Sequence, residues 1–116
     1  MIENFTIYTK MLEVIAWTFQ KVNTLPKKQR FVLGQQIENT TLACLRLIIE
    51  ANNASRTSDK LLKLDELNIE LEMLRSLLRV AQQLNFMSAK SLGYIIGQID
   101  EIGRMRGGWA KRYHKQ

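Results

Sequence analysis

The sequence predicts an all-α protein whose single domain, residues 1–116, is an up-down-up-down antiparallel four-helix bundle. Residues that favour helices dominate the composition, and there is one proline. Apolar residues recur every three or four positions through four stretches, and no strand-like alternation occurs. Three short polar segments separate the stretches, so consecutive helices are expected to run antiparallel.

The first two predicted helices span about residues 3–22 and 26–52. In the first, the spacing of apolar residues predicts a core-facing stripe of Phe5, Tyr8, Leu12, Ile15, Phe19 and Val22. The turn NTLP follows, and Pro26 suits the first position of the second helix. That helix has an inner stripe of Leu33, Ile37, Thr40 or Thr41, Cys44, Ile48 and Ala51. A second stripe lies around its side and consists of Leu42, Leu45 and Ile49.

The third and fourth predicted helices span about residues 59–84 and 89–113. Ser58 or Asp59 is the expected cap of the third and Ser88 that of the fourth. The third helix has a heptad-like inner row of Leu64, Leu67, Leu71, Leu74, Leu78 and Ala81. A second row on another side consists of Leu62, Ile69, Met73, Leu77, Val80 and Leu84. Because one small bundle cannot bury both rows, the pattern indicates self-association. The inner stripe of the fourth helix is Leu92, Ile95, Ile99, Ile102, Met105 and Trp109.

Glycines recur at a spacing of four in the last helix. Gly93 and Gly97 form one pair, and Gly103 and Gly107 form another, so each pair lies on one helix face. Such a strip allows a neighbouring backbone to approach closely. The alternative is that Gly107 and Gly108 end the helix as a left-handed cap. The spacing alone leaves both interpretations open.

The net charge of +6 is unevenly distributed along the chain. Residues 1–101 carry 12 basic and 11 acidic side chains, whereas residues 102–116 carry five basic and no acidic ones. The segment KKQR, residues 27–30, adds a second basic cluster. This asymmetry indicates a polyanionic partner. Basic residues near a helix carboxyl end also complement the helix dipole, which is the alternative explanation.

Three stretches together resemble one protein family. They are PKKQRFVLGQQIENTTLACLRLIIEAN, LRSLLRVAQQLNFMS and EIGRMRGGWAKR. They are similar to the accessory variability determinant (Avd) proteins of diversity-generating retroelements, and to the wider family of four-helix proteins encoded in intervening sequences of bacterial 23S ribosomal RNA genes. The resemblance implies a homopentameric barrel that binds reverse transcriptase and nucleic acid, supports mutagenic copying and is not itself an enzyme. It also favours continuation of the last helix through Gly107 and Gly108. Arg106 departs from the family pattern, in which an apolar residue, commonly leucine, is usual.

The basic residues are the candidate nucleic-acid contacts, through the phosphate backbone rather than the bases. The candidates are Lys27, Lys28, Arg30, Arg75, Arg79, Arg104, Arg106, Lys111 and Arg112, with Lys90 and Lys115 as possible additions. For Arg75 the alternative is ion pairing with Glu38, or with Asp100 or Glu101. Trp109 and Tyr113 interleave with cations as in single-strand binders, but Trp109 also follows the inner stripe, which favours packing. Tyr113 and His114 are alternatively the frayed end of the chain.

No pattern indicates catalysis, a cofactor or a metal site. His114 has no companion ligand at metal-binding spacing, and Asp65, Glu66 and Glu70 lack the Glu-x-x-His motifs of a di-iron bundle. Cys44 falls on an inner stripe and is expected to be a buried thiol. Neither a signal peptide nor an apolar run of membrane-spanning length is evident, and the lone cysteine fits a reducing compartment. We therefore expect a cytoplasmic protein.

Overall fold

The structure, a computed structural model, describes residues 4–114 and contains four helices. Helix α1 is Phe5–Val22, α3 is Thr57–Gln83 and α4 is Ala89–His114. Helix α2, residues 27–53, consists of Lys27–Gln29, a π-helical turn Arg30–Gly34 and Gln35–Asn53. The described residues contain no strand and measure 47 × 23 × 21 Å. The predicted all-α four-helix bundle is confirmed; Glu3 and Lys115 lie outside the described residues.

Contacts between helices show that consecutive helices run antiparallel. Lys63 Nζ lies 3.7 Å from Glu50 Oε1 across the α2–α3 turn. Arg75 Nε donates to Asp100 Oδ1 at 2.8 Å across the α3–α4 turn. Lys21 Nζ donates to Ser91 Oγ at 3.1 Å, which joins the end of α1 to the start of α4. The α1–α2 turn and the α3–α4 turn therefore lie at the same end of the bundle.

The inner row of α3 supplies the centre of the core. All six of its predicted members are at most 1% exposed. The inner stripe of α2 is also buried, as predicted, and in α4 the buried residues include Ile95, Ile99, Ile102 and Trp109. Leu92 and Met105 of α4 are half-buried at its margin. The apolar periodicity of these three helices thus identified the correct faces.

The core-facing side of α1 differs from the prediction. Phe5 is 65% exposed and Leu12 is 40% exposed. The buried residues are Ile7, Met11, Val14, Thr18 and Val22, of which only Val22 was predicted. The predicted Tyr8 and Ile15 are half-buried and pack at the margin of the core. The buried stripe has nearly the same spacing as the predicted one but is offset by one residue, which is about 100° around the helix. Because α1 is apolar over a broad arc, periodicity alone could not decide which part faces α2 and α4.

Two helix starts are now defined by their contacts. Helix α3 begins at Thr57 and its N-cap residue is Arg56, so the prediction that Ser58 or Asp59 caps it is wrong. At the start of α4, the backbone N–H of Ser91 donates to Ser88 Oγ at 3.1 Å, which confirms Ser88 as the cap.

The π-helical turn in α2 brings Gly34 against α1. A Cβ atom at Gly34 would lie 2.7 Å from Val22 Cγ1 and 3.4 Å from Leu25 Cδ1. Glycine is therefore required for α2 to pack this closely on the end of α1. No feature of the sequence distinguishes Gly34 from the other glycines as a site of close helix packing.

Large apolar side chains remain exposed on α1, α2 and α3. Helix α3 exposes most of its predicted second row: Leu62, Ile69, Met73, Val80 and Leu84. Helices α1 and α2 expose Phe5, Leu12, Leu42 and Ile49. The prediction that α3 has more apolar surface than one bundle buries is confirmed. Within the described residues, no helix is both long enough and apolar enough to cross a membrane.

Candidate nucleic-acid interface

Two segments of the chain are the longest without an acidic residue. They are residues 14–37 and 73–99, and they include the α1–α2 turn and the α3–α4 turn. The antiparallel arrangement places both segments at the same end of the bundle. Contacts across α1 and α4 confirm this, since Trp17 packs on Tyr94 with 5.8 Å between ring centroids and Lys21 bonds to Ser91. We call these two segments the acid-free end.

The acid-free end carries the net charge of the protein. It holds seven cations, namely Lys21, Lys27, Lys28, Arg30, Arg75, Arg79 and Lys90. The remainder of the chain has ten cations and eleven acids, so its charges nearly cancel. The distribution of charged residues along the sequence indicated residues 102–116 instead, because the two acid-free segments are separated by 35 residues. A search for long gaps between acids would have found both segments, but only the fold shows that they meet.

Five of the seven cations are exposed. Lys27, Lys28, Arg79 and Lys90 have no acidic side chain within ion-pair distance among residues 4–114. Arg30 is also exposed, and its Nε donates to the carbonyl oxygen of Leu25 at 3.1 Å. Their charge is therefore not neutralised by the protein itself.

Arg75 makes the structural contact that was the alternative to nucleic-acid binding. Its Nε donates to Asp100 Oδ1 at 2.8 Å, and its side chain is 19% exposed. Its guanidinium also covers Gly103, since Arg75 Nη2 lies 3.1 Å from the position of a Cβ there. Arg75 thus joins α3 to α4, whereas Arg79, one turn later, remains exposed.

The basic residues near the carboxyl end lie in the other half of the bundle, where the acids are. Arg104, Lys111 and Arg112 are exposed on α4. Arg106 instead faces α3, where its Nη1 donates to the carbonyl oxygen of Leu64 at 3.4 Å. Its Nε is buried and has no hydrogen-bond partner in the described part of the chain. Arg106 is thus half-buried against α3, and its role as a nucleic-acid contact stays a prediction.

Helix α4 continues through both glycines to His114. Neither Gly107 nor Gly108 has a positive φ, so the cap interpretation is wrong and the continuation favoured by the resemblance is confirmed. A Cβ atom at Gly93, Gly97, Gly107 or Gly108 would meet nothing within 4 Å. These glycines therefore do not serve close packing within the chain, and their role in contacts between copies stays a prediction.

The aromatic residues of α4 divide into packed and exposed ones. Trp109 is 1% exposed, which confirms the packing interpretation. Tyr113 is half-buried and helical, with Lys60 Nζ 5.6 Å from its ring centroid, so it is not a frayed end. Tyr94 is 54% exposed and was not singled out from the sequence. The sequence feature that could have identified Tyr94 is its position between Gly93 and Gly97.

The remaining candidates from the sequence are the Cys44 thiol, as a nucleophile, and the His, Cys, Asp and Glu side chains, as metal ligands. Burial raises the pKa of the Cys44 thiol to about 12, which makes it a poor nucleophile at neutral pH. Among residues 4–114, no group of three or more His, Cys, Asp or Glu side chains is arranged to hold a metal ion.

The geometry defines a class of protein, a small four-helix bundle with one strongly basic end and exposed apolar rows. A family model described as bAvd-like matches residues 5–113, so the chain belongs to the bAvd-like family. A solved structure from Bacteroides thetaiotaomicron VPI-5482, a protein of unknown function from the S23 ribosomal protein family, matches with a TM-score of 0.85 at 21% identity. The match covers 96% of this chain and 99% of that one, and it establishes a shared fold. No curated protein matches the chain significantly.

Proposed function

We propose that this protein is a non-enzymatic, cytoplasmic accessory factor of a diversity-generating retroelement. It binds template RNA or cDNA, binds the reverse transcriptase of the element and thereby supports mutagenic reverse transcription. Family membership supports the accessory role. The observation that carries nucleic-acid binding is the acid-free end, with seven cations and no carboxylate.

The cations of the acid-free end can interact more favourably with a phosphate backbone than with the rest of the protein. Lys27 and Lys28 lie at the amino end of α2, where the helix dipole disfavours cations. A bound polyanion would remove this unfavourable interaction. The exposed side chains lie on several helices rather than on one reading helix, so we propose contacts to phosphates without base-specific readout.

The exposed apolar rows support assembly into a ring. The exposed apolar residues of α3 and those of α1 and α2 lie on different helices of one protomer, and we propose that they form two different surfaces. Two different surfaces that cover each other make a heterologous contact, which closes into a ring when the rotation between copies permits. We propose a homopentamer, a number that comes from the family. Five copies would repeat the acid-free end around the ring and raise the effective concentration of weak contacts.

A scaffold that contacts only protein is the second candidate function. In that case the acid-free end would bind an acidic surface of the polymerase. A pulldown of the reverse transcriptase from nuclease-treated lysate separates the two. Retention without nucleic acid favours the scaffold, and loss favours an RNA bridge. A role of the ribosomal intervening-sequence type is a third alternative. A neighbouring reverse-transcriptase gene with paired repeats supports the retroelement, whereas a neighbouring 23S rRNA gene supports the alternative.

The decisive experiment is a filter-binding titration with RNA between 50 and 200 mM salt. If about five phosphates are contacted, the slope of log K against log[salt] should be about −3.5 for a single strand, which weakens binding roughly 100-fold over this range. Absent or salt-independent binding would contradict the proposal. Light scattering tests the assembly separately, and a stable species of 13.5 kDa would rule out the ring.

A further inference from the structure

Helices α1 and α4 form a groove inside the acid-free end. Trp17 lines both this groove and an adjoining cleft, and Tyr94 lines the cleft only. Trp17 of α1 is half-buried, and its ring packs on Tyr94 of α4 with an interplanar angle of 42°. Lys21 Nζ lies 5.7 Å from the centroid of Trp17 and is held there by Ser91 Oγ. The groove has a volume of about 240 Å³, and its lining residues are Trp17, Gln20, Lys21, Thr24 and Ser91.

The side chain of Tyr94 is only partly covered by the rest of the protein. Its ring touches α1 through Trp17, yet 54% of its surface is open. It is the only large apolar or aromatic side chain that α4 exposes among residues 89–114. The glycines on either side of it, Gly93 and Gly97, have open space above them, so a ligand can approach the helix backbone beside the ring. The exposed apolar rows that suit contacts between copies lie on the other helices.

The charges around the groove identify the ligand. Lys21 lies in the groove, and Lys90 is exposed one turn before Tyr94 on α4. No acid occurs in the segments that form it; Glu13 lies just beyond, in the adjoining cleft beside Trp17 and Tyr94. Cations beside an exposed aromatic face are the combination that binds single-stranded nucleic acid, with phosphates on the cations and bases stacked on the rings.

We propose that the α1–α4 surface around this groove binds single-stranded nucleic acid by stacking a base on Tyr94, which lies beside the groove. The next base along the strand enters the groove, where Gln20, Thr24 and Ser91 offer polar groups to its edge, and Lys21 and Lys90 contact the flanking phosphates. The base must be unpaired, because a duplex keeps its stacking faces covered. This inference rests on the proposed nucleic-acid function and specifies which form of nucleic acid is bound and where.

The test compares Tyr94→Leu, which keeps apolar bulk but removes the aromatic ring, with Tyr94→Phe, which keeps the ring. The probes are an oligouridylate and an RNA duplex of equal length. Tyr94→Leu should weaken single-strand binding roughly tenfold and change duplex binding less than about twofold, whereas Tyr94→Phe should bind both like the wild type. Quenching of Trp17 fluorescence by the oligouridylate should disappear in Trp17→Phe, because the other tryptophan, Trp109, is buried.

Three results would overturn the inference. Tyr94→Leu could bind the single strand like the wild type, could lose single-strand and duplex binding equally, or could change the mass in solution, which would make Tyr94 a subunit contact. In each case the basic surface can still bind RNA, so the proposed function stands. If the wild type binds neither probe, the inference and the proposed function both fail.

Discussion

The sharpest prediction compares two sets of basic residues that change the net charge equally. The first variant replaces four exposed cations of the acid-free end by glutamine: Lys27, Lys28, Arg79 and Lys90. The control replaces four exposed cations elsewhere by glutamine: Arg56, Arg104, Lys111 and Arg112. Both reduce the formal net charge from +6 to +2, so a difference between them reports position rather than total charge.

The expected magnitude follows from counterion release. Each phosphate contact with a single strand contributes about 0.7 to the slope of log K against log[salt]. Losing all four contacts of the acid-free end should reduce the slope by about 2.8 and weaken binding roughly 600-fold near 0.1 M salt; losing two should weaken it roughly 25-fold. The control should weaken binding about fivefold or less, because the chain outside the acid-free end has eleven acids against ten cations and so attracts a polyanion less strongly.

Filter binding at several salt concentrations measures both quantities, and circular dichroism checks that each variant is folded. The reasoning is refuted if the control loses as much affinity as the first variant, or if neither slope changes. Equal losses would mean that total charge alone, or the carboxyl-terminal cations predicted from the sequence, governs binding.

Three further predictions concern stability, measured by urea unfolding. Arg106→Leu should raise the free energy of unfolding by about 1 kcal/mol, because it removes a buried Nε without a partner; Arg104→Leu, on the exposed face, should change it by less than about 0.5 kcal/mol. Gly34→Ala should destabilise by about 1–2 kcal/mol through overlap with Val22, whereas Gly97→Ala should stabilise by about 0.5–1 kcal/mol. The raised pKa of Cys44 means that the folded state keeps a proton that the unfolded chain releases above its ordinary pKa of 9.0. The stability that Cys44 contributes by keeping its proton is therefore full below pH 9.0 and is lost as the pH rises toward about 12. This pH-dependent loss of stability should be absent in Cys44→Ala.

Several expectations depended on features that sequence does not contain. Arg75 had plausible acidic neighbours on two helices, and only the packing of α3 against α4 selected Asp100. Arg106 was grouped with exposed cations because it belongs to the carboxyl-terminal segment 102–116, which has five basic residues and no acid. Its direction around the helix decides its environment, and that direction is toward α3.

Helical content, the three turns and the inner faces of α2, α3 and α4 followed from the sequence, because apolar residues that recur every three or four positions lie on one face of a helix and pack continuously along its neighbours. Where the apolar arc is broader, as in α1, burial was decided by neighbouring helices, which cover Ile7 and leave Phe5 in solvent. The position of the charge was decided by tertiary structure alone. Electrostatic interactions depend on distance in space, and antiparallel packing brings residues 14–37 and 73–99 together at one end.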